Sequence, residues 1–263
     1  MTLVVPERSK LVAGIVDIAI EAGVIVMDVY RSDFEVRSKA DKSPVTVADE
    51  RAEAFIVERL TALAPAIPVV GEELYAAGER PDISGGVFWL VDALDGTSEF
   101  TKRGQDFTVN IALIENGTPS LGVVHAPALG FTCWGSADGA FRKTGDGTPE
   151  RISVRTPPPD GLVAVISKSH ASSETEYLKD YTIAGSVNRG SSLKFCLVAA
   201  GEADIYPRLG PTSEWDIAAG HALLAAAGGS VTQLDGSTLV YGKANVLNPH
   251  FVAKGSQSWG SQI

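Results

Sequence analysis

Cysteine is scarce in this chain of 263 residues: there are two, which build no disulfide framework, and the loose placement of Cys133 and Cys196 matches no zinc-ligand spacing. A reducing cytoplasm is the expected compartment, with peripheral contact at the inner membrane as its variant. Basic charge is also in short supply. Twenty-two Lys and Arg stand against 32 Asp and Glu, a net charge of −10, which argues against a nucleic-acid polymer or an acidic membrane as partner. An anionic ligand must therefore be received by metal cations or by a local basic pocket. Long unbroken apolar runs are missing too. The most apolar stretch, Leu11 to Tyr30, is interrupted by Asp17, Glu21 and Asp28 and reads as an amphipathic helix rather than a membrane span. No small-residue cleavage site follows a short basic start, as a signal peptide would require.

What is present is ordinary globular composition, 44% apolar and 21% charged, enough to bury one large core or two smaller ones and to exclude disorder and collagen-like structure. The first 65 residues carry helical spacing, with Leu11, Ile15, Ile18, Ala22, Ile25 and Val29, then Ala52, Phe55, Ile56 and Leu60. From Val69 onward short apolar runs predict strands at 88–91, 107–114, 120–125 and 162–167, and Asn116-Gly117 is a strong hairpin signal. Strands at 181–187 and 203–207 alternate with helices at 191–200 and 215–227, the last closed by Gly228-Gly229. The economical division is an N-terminal α+β half, residues 1–150, and a C-terminal α/β half, residues 151–263, meeting near Gly145, Gly147 and Pro157-Pro158-Pro159.

Four segments could carry chemistry, and each has a plainer explanation. Asp92-Ala93-Leu94-Asp95-Gly96-Thr97 follows an apolar run, so its acids project from a sheet edge, where two anions on one turn call for a cation between them; equally, they terminate a strand and make a turn. Gly71-Glu72-Glu73 follows another strand-like run, yet adjacent acids there are commonly solvated. Asp216, in Trp215-Asp216-Ile217-Ala218-Ala219-Gly220, sits where a helix dipole favours an acid in any case. Thr46 and Asp49 are explained by capping a helix start.

Taken in order, these segments resemble the signature of the inositol monophosphatase-like, lithium-sensitive, magnesium-dependent phosphatases, over nearly the whole chain. Within that superfamily the bacterial 3′(2′),5′-bisphosphate nucleotidase branch is the most similar. The narrower resemblance rests on Asp95-Gly96-Thr97-Ser98-Glu99-Phe100, the run from Phe107 to Ile114, Ser167-Lys168-Ser169-His170, the run from Gly190 to Cys196, and Tyr206-Pro207-Arg208. One departure is visible: the family usually has proline where this chain has Ala93, so the turn carrying Asp92 is less pre-organised, with no ligand removed.

The resemblance implies a layered αβαβα sandwich of α+β and α/β character. It implies that Glu72, Asp92 and the carbonyl of Leu94 hold one magnesium ion, that Asp92, Asp95 and Asp216 hold a second, and that a third, weaker ion binds beside Asp49 and Glu72. These are hard oxygen donors of the kind magnesium prefers. Thr97 and Asp49 would orient and deprotonate the attacking water, while Gly96, Thr97 and Ser98 would offer backbone N–H groups to the phosphate. Lys42 would close over the site, and His170, Ser191, Lys194 and Arg208 would surround the 5′-phosphate and adenosine. The implied partner is a small nucleotide, adenosine 3′,5′-bisphosphate, with 3′-phosphoadenosine 5′-phosphosulfate as a second substrate. No obligatory protein partner is expected, and the assembly is a monomer or homodimer. The rivals are an inositol monophosphatase or fructose-1,6-bisphosphatase of the same superfamily and, in another class, a non-catalytic metal-dependent binding protein.

Overall fold

The computed structural model describes residues 7–39, 44–167 and 171–256. The two expected N-terminal helices are α1 (Arg8–Tyr30) and α2 (Val47–Leu63), separated by a small antiparallel pair, β1 (Val36–Ser38) and β2 (Pro44–Thr46). A seven-stranded sheet follows in simple sequence order: β3 (Val69–Gly71), β4 (Val87–Asp95), β5 (Thr108–Glu115), β6 (Thr118–Ala126), β7 (Phe131–Ser136), β8 (Gly139–Thr144) and β9 (Glu150–Ile152). Only the β3–β4 pair is parallel. Two one-turn helices interrupt it, α3 (Glu72–Ala76) after β3 and α4 (Thr97–Thr101) after β4. Asn116 and Gly117, both at positive φ, make the β5–β6 hairpin turn that their sequence predicts.

The remaining chain builds a second sheet from β10 (Leu162–Ser167), β11 (Ile183–Arg189), β12 (Ile205–Arg208), β13 (Ser230–Gln233) and β14 (Phe251–Lys254), ordered β11-β10-β12-β14-β13. Helices α5 (Ala171–Tyr177), α6 (Leu193–Ala199) and α7 (Glu214–Ala226) connect these strands. The helix expected to begin at Ser191 starts two residues later, because Ser191 takes φ +53°, a left-handed conformation that a helix cannot contain.

Period-two alternation sorts the core into layers. Trp89, Val91, Val109, Ile111 and Leu113 face α1 and α2. Phe88, Leu90, Ala112 and Val124 face the opposite way, onto α6, α7 and the inner side of the second sheet. The outer side of that sheet packs Leu162, Ala164 and Ile205 under Tyr177, Leu178 and Tyr181. The order is helix, sheet, helix, sheet, helix, the αβαβα sandwich implied by the resemblance. Helix α7 is the middle layer and lies close on the large sheet: a Cβ added to Gly122 would stand 2.5 Å from the Ala219 carbonyl, and one added to Gly135 would stand 2.6 Å from Leu223 Cα. No helix among the described residues is long and apolar enough to cross a membrane.

Candidate active site

The expected strand at 88–91 continues to Asp95, and that extension builds the site. Residues three apart on a regular strand point to opposite faces. Here Asp92 pairs with Asn110 and Asp95 with Thr108, so three steps along β4 match two along β5, and a bulge absorbs the extra residue. Both acids thereby reach the same face as Asn110 and Thr108, the face that looks toward α6 and α7. Ala93, the residue at the usual proline position, lies buried inside this bulge.

The neighbouring elements bring further acids to it. Glu72 is the first residue of α3, at the carboxyl end of β3 beside β4. The start of α3 is anchored by buried Glu53 of α2, whose carboxylate accepts the N–H groups of Glu73 at 2.9 Å and Leu74 at 2.7 Å. Asp216 comes from the first turn of α7, where its Oδ2 accepts the Ser213 N–H at 2.8 Å in a capping box. One carboxylate oxygen each of Glu72, Asp92 and Asp216 lies within 4.8 Å of the others. Asp95 stands outside that trio: its Oδ2 accepts the Ser191 hydroxyl at 2.7 Å.

Burial and mutual repulsion push the carboxyl groups of Asp92 and Asp216 well above the usual range. For Asp92 desolvation acts first, then the charges of Glu72, Asp95 and Asp216; for Asp216 desolvation is followed by Asp95 and Glu72. Desolvation raises Glu72 as well, against the pull of Lys39. The Lys39 ammonium donates to Glu72 at 2.6 Å and to Glu73 at 2.5 Å. Burial lowers its pKa, but the Glu72 and Glu73 charges outweigh that and hold it above its ordinary value. Three converging hard oxygen donors, one of them 2% exposed, fit a divalent cation.

This repulsion has a measurable consequence in metal-free protein. A carboxyl whose folded pKa is raised contributes stability below its unfolded pKa and loses it as pH rises through the folded value. Asp92→Asn keeps an oxygen for the Leu94 N–H, which Asp92 Oδ1 accepts at 3.0 Å, while removing the charge. In chelator the variant should melt above wild type at pH 8, where the wild-type carboxylates repel one another. The gap should close toward pH 4. A variant less stable than wild type at pH 8 in thermal unfolding would contradict the repulsion.

Asp49 and Thr97 form the second part of the site. The capping reading of Thr46 and Asp49 holds: Asp49 Oδ2 accepts both the backbone N–H and the hydroxyl of Thr46 at 2.8 Å. Its other oxygen, Oδ1, faces the Thr97 hydroxyl at 3.0 Å, so one carboxylate serves the cap and the site. The same hydroxyl lies 3.1 Å from the Leu94 carbonyl. Burial raises the Asp49 pKa, against the Thr46 and Thr97 hydrogen bonds that lower it. Gly96 makes the turn from β4 into α4 with φ +94°, and a Cβ there would stand 2.8 Å from the Asp106 carbonyl. The N–H groups of Thr97 and Ser98 belong to the first turn of α4, where no intrahelical acceptor exists.

A cleft of about 400 Å³ is lined by Asp95, Gly96, Ser98, Ser191, Lys194, Arg208 and Asp216, with Lys102 and Arg189 also on its wall. Lys194 is 5% exposed and donates to the Ser191 carbonyl at 2.6 Å. Burial pushes its ammonium down to about 8, with Asp95 opposing and Arg208 adding to the fall. Arg208 donates to the Ser167 hydroxyl and the Pro211 carbonyl, each at 3.1 Å. Lys42 and His170 lie outside the described residues. Lys39, Asn110, Thr108 and Ser192 were not anticipated from sequence. Asn110 Nδ2 donates to Ser192 Oγ at 3.1 Å, and that hydroxyl donates to the Asp216 carbonyl at 2.8 Å, tying β5 to α6 and α7. Asn110 and Thr108 lay within the quoted run from Phe107 to Ile114, where only register could have marked them.

Residues 7–259 match the profile of the inositol monophosphatase family. The 3′(2′),5′-bisphosphate nucleotidase CysQ of Salmonella typhimurium is 48% identical over 238 residues, covering 89% of this chain and 95% of its own length. Among solved structures, CysQ from Bacteroides thetaiotaomicron, described as a bacterial member of the inositol monophosphatase family, superposes with a TM-score of 0.79 at 35% identity, covering 96% of this chain and 98% of its own. An IMPase from Thermotoga maritima superposes with a TM-score of 0.73 at 29% identity, covering 91% and 90%.

Proposed function

Because the chain belongs to the inositol monophosphatase family, we propose that it is a metal-dependent 3′(2′),5′-bisphosphate nucleotidase that hydrolyses adenosine 3′,5′-bisphosphate to AMP and phosphate. The observation that carries this reading is one cleft lined both by acids, Asp95 and Asp216 among them, and by cations, Lys194 and Arg208 among them. An acidic protein thus gains a local basic pocket where its substrate needs one. In the proposed division at residue 150, the N-terminal half supplies Glu72, Asp92 and Asp95, and the C-terminal half supplies Asp216 and both cations.

Glu72, Asp92, Asp95, Asp216 and the Leu94 carbonyl would hold two magnesium ions and, by the family resemblance, Asp49 and Glu72 would stand beside a third. When bound, these ions neutralise the phosphate and the departing oxygen and acidify the attacking water. The chain's own groups then act on the proton. The Thr97 hydroxyl orients the water and passes its proton to Asp49 Oδ1, whose raised pKa suits it to accept one. Water oxygen bonds to phosphorus, the ester bond to the ribose 3′-oxygen breaks, and that oxygen takes up a proton from solvent, to which Asp49 later releases its own. Gly96, Thr97 and Ser98 offer backbone N–H groups to the phosphate. Ser191, Lys194, Arg208 and, by the family resemblance, His170 receive the remainder of the nucleotide, including the extended 5′ group of 3′-phosphoadenosine 5′-phosphosulfate. The cytoplasm is the compartment this substrate assigns.

Phosphate release measured over a panel of nucleotides and sugar phosphates, with magnesium and with chelator, tests the reading. Adenosine 3′,5′-bisphosphate should exceed 3′-AMP, inositol monophosphate and fructose 1,6-bisphosphate in kcat/KM. A higher value on inositol monophosphate moves the protein to the neighbouring branch, and full activity in chelator ends the metal assignment. A charge-assisted hydrogen bond contributes roughly 1.5–3 kcal/mol, so Arg208→Ala should cost about 10- to 150-fold on the bisphosphate and little on 3′-AMP. Equal losses on both would mean that Arg208 supports the fold instead.

A further inference from the structure

Glu174 of α5 is completely buried and lies outside the carboxylate cluster. Its Oε2 accepts the Ser167 backbone N–H at 2.6 Å and its Oε1 accepts the Ser167 hydroxyl at 2.6 Å. Among the described residues no cation pairs with it directly. The hydroxyl has one hydrogen, and Glu174 takes it, so the oxygen lone pairs of Ser167 are left facing Arg208 Nη1 at 3.1 Å. A buried carboxylate is costly to keep unless hydrogen bonds and nearby positive charge compensate it. Here, among the described residues, Glu174 is linked by hydrogen bonds through Ser167 to a guanidinium that lines the cleft, and the Lys194 charge acts on it as well.

We propose that Glu174 is the positioning residue of the remote-phosphate subsite, holding the Arg208 guanidinium in place through Ser167. The inference rests on the reading that Arg208 binds the 5′-phosphate. Among the described residues, the other hydrogen bond made by Arg208 runs from its Nη2 to the Pro211 carbonyl, and its buried Nε has no partner there. If Glu174 is neutralised, the Ser167 hydroxyl is free to rotate and to turn its hydrogen toward Arg208, and the guanidinium loses its fixed acceptor. Glu174 also supplies negative charge toward Lys194, opposing the repulsion that Arg208 exerts on that ammonium. The carboxylate therefore pre-organises a site that would otherwise have to be assembled by the substrate.

Kinetics of the full chain with magnesium, on adenosine 3′,5′-bisphosphate and on 3′-AMP, test this. Glu174→Gln should lower kcat/KM on the bisphosphate about tenfold and change 3′-AMP by less than about twofold. In an Arg208→Ala background the same substitution should add less than about twofold, because its target is gone. Ser167→Ala breaks the same link with a smaller change in volume and should reproduce the selective loss, which keeps the test open if Glu174→Gln does not fold. Equal losses on both substrates, or an undiminished further loss in the Arg208→Ala background, overturn the positioning role. If Arg208→Ala alone leaves the substrate preference intact, the substrate reading itself fails. If Arg208→Ala removes the preference but Glu174→Gln and Ser167→Ala do not, only the positioning role fails.

Discussion

Asp92→Asn should lower kcat/KM by at least roughly 10³-fold, a loss of about 4 kcal/mol in transition-state stabilisation. One carboxylate oxygen of Asp92 lies within 4.8 Å of those of Glu72 and Asp216, and the charges of Glu72, Asp95 and Asp216 all act on it, so in the proposed site a cation would be held in part by Asp92. Asparagine keeps the hydrogen bond to the Leu94 N–H and nearly the same volume, so the bulge survives while the charge disappears. The loss should appear together with weaker divalent binding in a direct titration. Higher stability of the metal-free variant at pH 8 would show that the loss is not misfolding. Activity within tenfold of wild type at saturating magnesium would remove Asp92 from the centre of the site.

Thr97→Ala should slow turnover by about 10²–10⁴-fold, the range typical of lost proton-transfer assistance, and leave divalent affinity within about twofold. The hydroxyl lies 3.0 Å from Asp49 Oδ1 and 3.1 Å from the Leu94 carbonyl, so alanine removes the proposed relay to Asp49. Thr97→Ser restores the hydroxyl and should recover most of the rate. The contrast with Asp92→Asn separates a group that moves a proton from one that holds an ion. A loss below tenfold in single-turnover phosphate release would reduce Thr97 to a residue that merely starts α4.

Much of this was legible because the relevant signals are local. The acids Glu72, Asp92 and Asp216 each follow or open an apolar pattern plain in sequence; Glu72 and Asp216 are found at that place, whereas Asp92 lies inside β4, which runs on to Asp95. The competing capping explanations were equally sound. For Asp49 and Asp216 the structure shows the cap, made by Oδ2 in both, and since a carboxylate has two oxygens this is compatible with the proposed site role. Other elements escaped notice. Strands β7, β8 and β9 are short and interrupted by glycine and charge, and they are held by ladder hydrogen bonds to their neighbours rather than by a strong pattern of their own.

Periodicity, turn residues and motif order determined the helices, the main strands, the layered class and the chemical nature of the site, because these depend on neighbours within a few positions. The tertiary structure decided the rest. Whether Asp92 and Asp95 share a face depends on one extra residue in β4 relative to β5, a register between two strands that no single strand encodes. That Lys39 reaches Glu72 and Glu73, and that Glu174 reaches Arg208 through Ser167 from 34 positions away, follows only when separate elements pack. Burial then sets the charges: it raises Asp92 and Asp216 and lowers Lys194. Desolvation is a property of the assembled interior and has no counterpart in the order of residues along the chain.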